Sequence, residues 1–335
     1  MKDSKSRKKQ WIALLFSSLV LVLAGCATNG SNLDRKPAQG SAVAPLEVTV
    51  KQDPGKIVYW VLPGPRRLSK KVFGTPAAPK MLVTDKIRVA ENMVAAKQMP
   101  PSVPGLLKKM PILVGVPLMA RKIDKNGNWV LAMPTPFSDR GMIVSGSFDV
   151  TYRDVVKQDP PGPPMKTPDS IDVKDLQFTD PAGNRYRIVF HHVIKPPFPG
   201  YETDGGVMID GWTHGSTGTG TPLMPEEKTI TAFWGVGDVY INGTLAQPHR
   251  VMHMMTTEVV RDKNYKLALD EDLPLAPEQR IIRDQAHHTH FIVLPIVPEK
   301  GKGPVFSPLK TAFKLPNGMV QPFIHVMYEQ DEVIR

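Results

Sequence analysis

Residues 143–153 read Ile-Val-Ser-Gly-Ser-Phe-Asp-Val-Thr-Tyr-Arg. Val144, Gly146, Phe148, Val150 and Tyr152 alternate with Ser145, Ser147, Asp149, Thr151 and Arg153. Successive side chains of a strand point to opposite faces, so this period of two predicts a half-buried strand with a polar outer face. The rest of the chain agrees with it. Thirty-four prolines and 26 glycines punctuate 335 residues and leave little room for helices of ordinary length. The expected fold class is all-β, an antiparallel β-sandwich in one or two β units with few short helices.

Upstream, Lys56 to Leu62 is a β-type run stopped by Pro63-Gly64-Pro65. Residues 86–98 form the best helix candidate, with Ile87, Ala90, Met93 and Val94 on one face and Pro100-Pro101 as its stop. Met110 to Met119 reads as an irregular edge strand, and Lys125 to Asn128 as a turn. Downstream, strands at 176–179 and 186–194 flank a turn at Asp180–Asn184. Thr229 to Trp234 follows, and Asn242-Gly243 is a strong hairpin signal between 237–241 and a return strand from Thr244. Strands at 289–297 and 323–328 complete the set.

Five of the thirteen residues at 157–169 are proline, which makes this stretch stiff and keeps it out of a sheet interior. The expected organisation is therefore an export signal over 1–25, a tether over 26–45 and an N-terminal β region over 46–156. A Pro-rich linker or long loop at 157–170 and a His-rich β domain over 171–335 follow it.

The start of the chain sets the compartment. Lys2, Lys5, Arg7, Lys8 and Lys9 precede an apolar run from Trp11 to Ala24. A basic start, a short apolar middle and small residues before a cut describe a secretory signal. Leu23-Ala24-Gly25-Cys26 resembles the lipobox of bacterial lipoproteins. That resemblance implies cleavage before Cys26, acylation of its sulfur and a bilayer partner held through the lipid. In Gram-negative members an Asp after the cysteine goes with inner-membrane retention, so Ala27 implies the outer membrane. Residues 27–45 show no apolar period and read as a flexible spacer.

Cys26 is the sole cysteine. Its acylation leaves the body without disulfides and excludes thiolate copper, iron–sulfur and Cys-ligated zinc centres. Removing residues 1–25 takes away five basic residues and one acid, so the formal charge falls from +10 to +6. Lys and Arg are dispersed and export intervenes, so nucleic acid is not an expected partner. The run Arg66 to Lys71 reads as a solvated loop. No Gly-X-Ser-X-Gly elbow, P-loop or His-Glu-X-X-His occurs. Glu226-Glu227 and Glu271-Asp272 read as solvated turns.

All nine histidines lie between 191 and 325. In a strand, His288 and His290 share one face about 7 Å apart along the chain, where two imidazoles can share a metal ion. His249 and His253 fall on one face with Met255 next. The assembled expectation is His288, His290 and His253 with Met255 as a weak fourth ligand and His249 beside them. Imidazole and thioether suit copper, and three histidines with an open position suit zinc. Trp212 and His214 lie in a Gly-rich stretch where backbone can approach a ligand. The competing account makes these rings a polar sheet face and the methionines core filler.

His191-His192 together with His288-Thr289-His290 faintly resembles the copper monooxygenases that hydroxylate peptidylglycine. Those enzymes use a His-His pair, a His-X-His pair and a Met across two β-sandwich domains. They are rich in disulfides and split their two copper sites between domains, whereas both pairs here fall in one half of a disulfide-free body. The resemblance implies ligand types only. The expected function is metal handling or redox chemistry by a lipid-anchored envelope protein. The alternative is a non-enzymatic lipoprotein that docks an envelope protein or polymer.

Overall fold

The computed structural model describes residues 45–64, 67–68, 70–80, 84–110, 116, 118–133, 135–136, 138, 140–156, 166–195, 206–214, 217, 219, 226–259 and 286–335. The signal, Cys26, nearly all of the tether and most of the 157–170 linker lie outside these residues.

Twelve strands build the main sheet. They are β1 (Leu46–Gln52), β2 (Val58–Val61), β3 (Gly141–Val144), β4 (Gly146–Asp154), β5 (Ser170–Thr179) and β6 (Arg185–Val193). Then come β7 (Val207–Thr213), β8 (Glu227–Ile241), β9 (Thr244–Glu258), β10 (His287–Val293), β11 (Ile324–Tyr328) and β12 (Glu332–Ile334). Neighbours run in the order β12-β1-β4-β5-β6-β8-β9-β10-β11-β2-β3, all antiparallel, with β7 also on β8. All-β architecture with few short helices is what the alternating patterns predict.

The two ends of that order meet. β3 passes into β4 through Ser145 alone, so the diagnostic stretch 143–153 is one bent strand. β2 pairs with β3 through Val58↔Val144, and β1 pairs with β4 through Leu46↔Asp154. Likewise β11 pairs with β2 and β12 with β1. Strands that bend from one neighbour to the next make the corners by which a sheet curls onto itself. The layers of the sandwich are thus opposite walls of one sheet. Trp60 of β2 reaches Tyr186 of β6 with ring centroids 5.4 Å apart, and Phe148 of β4 meets Tyr328 of β11 at 4.7 Å. The buried Trp60 indole donates to Gln321 Oε1 at 2.8 Å.

Strands from 46–156 and from 171–335 interleave, and Ala44–Arg335 is one compact unit. The body is a single β unit, not two. Two helices, α1 (Thr84–Ala95) and α2 (Val103–Lys109), cover part of the outer face. Ile87 and Ala90 bury against Trp234, Val236, Val251 and Ile292, with Met93 and Val94 packed alongside, as the helical spacing predicts. α1 ends at Ala95, short of residue 98, with Lys97 in the left-handed region at φ +59. In place of part of the expected edge strand, Leu118–Ala120 forms a single 3-10 turn; residues 111–115 and 117 lie outside the described set. Asn242 and Gly243 take φ of 51° and 83°, the hairpin turn their sequence predicts.

Candidate functional site

β9, β10 and β11 are neighbours, and period two sorts their side chains. Met252, Met254, Phe291, Val293, Ile324 and Val326 enter the interior cluster. His253, Met255, His288, His290, His325 and Met327 therefore take the outer face. Register places Met255 opposite His290 and His290 opposite Met327. This face is covered rather than wet: His288, His290 and His325 are all buried.

The buried rings form a directed chain. His325 Nδ1 lies 2.8 Å from the Pro136 carbonyl oxygen, which can only accept, so this nitrogen carries a hydrogen. Burial pushes the His325 pKa down to about 4, so the ring is neutral and its Nε2 accepts. The partner 2.9 Å away is His290 Nδ1, which must donate. On the other side His288 Nδ1 lies 3.5 Å from the Glu329 carboxylate without a hydrogen bond to it. His290 Nε2 is then the acceptor of a 2.8 Å hydrogen bond from His288 Nε2, and the buried His288 Nδ1 is left without a hydrogen bond. A metal ion in place of that bridging hydrogen would join the same two nitrogens. The His290 side has the form that surrounds metal-bound histidines, in which the second ring nitrogen donates, here through His325 to a carbonyl.

The other expected ligands lie elsewhere. His253 shares the outer face but stacks on Trp234 with centroids 4.3 Å apart, and its Nδ1 is 2.7 Å from the Phe233 carbonyl oxygen. Burial pushes its pKa down to about 4, which leaves it neutral. His249 is not brought to the histidine pair; it joins His191 and Asp238. His214 is buried with Nε2 3.4 Å from Glu227 Oε1, while neighbouring Trp212 is half exposed. Part of the Gly-rich stretch between them and Gly220 lies outside the described residues.

His325 was absent from the expected ligands. The short echo between Arg250-Val-Met-His253 and His325-Val326-Met327 was its only trace in the sequence. Just inside the wall, the buried Asp331 carboxylate takes hydrogen bonds from Thr289 and from His287, whose Nδ1 is 2.7 Å away. That hydrogen bond raises the His287 pKa. No protein-family model, curated protein or solved structure matches this chain.

Proposed function

We propose that this chain is a lipid-anchored protein of the bacterial envelope that holds a transition metal between His288 and His290. Copper is the first choice and zinc the alternative. The facing Nε2 atoms at 2.8 Å carry the reading. Nitrogens bound to one tetrahedral ion sit about 3.3 Å apart, so opening the pair by about 0.5 Å seats it. Met255 lies directly across from His290, and its thioether favours Cu(I). His325 accepts from His290 Nδ1, which leaves His290 Nε2 an acceptor aimed at His288 Nε2. His253 lies outside this set because stacking and its carbonyl partner occupy it. When bound, the metal would supply storage or one-electron chemistry. Leu23-Ala24-Gly25-Cys26 supports acylation, and Ala27 supports the outer membrane.

The test is metal content of the full chain purified in detergent without added metal. Near-stoichiometric copper or zinc is expected, with loss in His288→Ala and in His290→Ala. A wild-type protein that is metal-free and takes up neither Cu(I) nor Zn(II) on addition overturns the reading. So does a metal content in both variants equal to that of the wild type.

One observation favours the docking alternative. β5 and β6 pair only through Gln177–Thr179 and Arg185–Arg187, and beyond these Ile171, Val173, Ile188 and Phe190 line a groove between the two strands. Free strand edges template an added strand. Co-purification of one envelope protein with metal-free chain would select this reading.

A further inference from the structure

We propose that His191, Asp238 and His249 form a second, solvent-open site for a divalent metal of the zinc class, independent of the buried histidine pair. Their ligand atoms all lie within 4.8 Å of one another. His191 Nε2 is 3.0 Å and His249 Nδ1 4.0 Å from Asp238 Oδ1. In a tetrahedral shell with bonds of about 2.0–2.1 Å the ligand atoms stand about 3.3 Å apart, so small side-chain rotations fit all three to one ion.

The backbone is irregular at each of the three residues. β6 pairs Phe190 with Gly237 and His192 with Val236, which leaves His191 as the extra residue of a bulge. β8 pairs Gly237 with Arg250 and Val239 with Gln247, so Asp238 stands opposite the unpaired Pro248 and His249. Bulges re-aim single side chains, and here irregularities in three adjacent strands aim three ligand-type side chains at one point. His249 also sits in the left-handed region at φ +53, which is costly for a residue with a Cβ. Asp238 Oδ1 holds it there by accepting its backbone N–H at 2.8 Å. Packing does not explain the strain, because the His249 side chain is 68% exposed.

Two imidazoles and one carboxylate leave coordination positions that water can fill, the form of an exchangeable rather than a closed structural site. The His191 and His249 rings already stack with centroids 5.3 Å apart, so loading needs no rearrangement of strands. An ion here would clamp β6, β8 and β9 together and would load from solvent.

The experiment is Zn(II) titration of the full chain in detergent against a chromophoric chelator. The variants are His191→Ala, His249→Ala, His249→Gly and Asp238→Asn, beside a His288→Ala/His290→Ala double variant. One zinc equivalent should weaken by about tenfold or more in each of the four single variants, since each removes a ligand. His249→Gly should do so with an unfolding midpoint at or above wild type, because Gly takes this φ without strain. The double variant should keep that equivalent. Unchanged zinc affinity in both His191→Ala and His249→Gly overturns the proposal. Loss of all zinc in the double variant also overturns it and assigns the metal to the buried pair, and a wild-type chain that binds no zinc overturns it outright.

Discussion

Acid should weaken this fold through two neutral histidines, and the size of the effect can be worked out. His325 is fully buried and His253 partly so, and burial lowers both pKa values to about 4. In the unfolded chain each returns to about 6.5. A folded pKa below the unfolded one means that the unfolded chain takes up the proton first as pH falls. The stability is therefore complete above about 6.5 and is lost as pH drops toward 4. Between pH 7 and 5 each ring should cost about 2 kcal/mol, or about 4 kcal/mol for the pair.

His287 opposes this, because its hydrogen bond to Asp331 raises its folded pKa; its contribution is full below about 6.5 and fades as pH rises through the folded value. A variant isolates the effect from that background. His253→Gln keeps a donor near the Phe233 carbonyl but does not titrate, and it leaves the His325–His290 contact alone. Urea unfolding of metal-free protein at pH 7, 6 and 5 should show the acid-induced loss shrinking by about 2 kcal/mol in the variant. Identical pH slopes for variant and wild type would refute the claim that the folded chain holds His253 neutral.

Gly235→Ala should destabilise by about 3 kcal/mol in urea unfolding, because its Cβ would meet Phe190 Cε2 at 2.2 Å and the His192 carbonyl oxygen at 2.9 Å. Trp60→Phe leaves Gln321 Oε1 without its indole donor in the core, and a loss of about 2–3 kcal/mol is expected from the shift in the denaturant midpoint. Asp331→Asn removes the carboxylate that raises the His287 pKa, so histidine NMR should show that ring titrating at lower pH, while Thr289 keeps an amide partner. His325→Phe removes the acceptor of His290 Nδ1–H, and copper affinity at His288 and His290 should fall by about ten- to a hundredfold in a competition titration.

The groove between β5 and β6, the two bulges beside Asp238 and the Pro136 carbonyl are invisible in a linear reading for a shared reason. Each depends on which residue of one strand lies opposite which residue of another. Pro136 and His325 are 189 positions apart, and no local pattern links them. His249 shows the same effect within one strand. Counting by twos from His253 makes it that ring's companion, but the irregular pairing at Pro248 and the left-handed backbone set it beside Asp238 instead. By contrast, the pairing of His288 with His290 needed only the two-residue period of an unbroken strand.

The sequence by itself determined whatever a repeat distance or a single residue's stereochemistry can encode. The strand through 148–152 follows from alternation, and the Asn242-Gly243 turn from the left-handed freedom of those residue types. The buried stripe of α1 follows from helical spacing, and the lack of disulfides in the body from its cysteine count. The tertiary structure alone decided that β3 and β4 are one bent strand joining the two ends of the sheet. It also decided that His325 rather than His253 backs the histidine pair, and that His249 sits beside His191 and Asp238. Those choices rest on register and curvature, which are fixed when non-local strands bury a common core, and a one-residue slip in any of them sends a side chain to the opposite face.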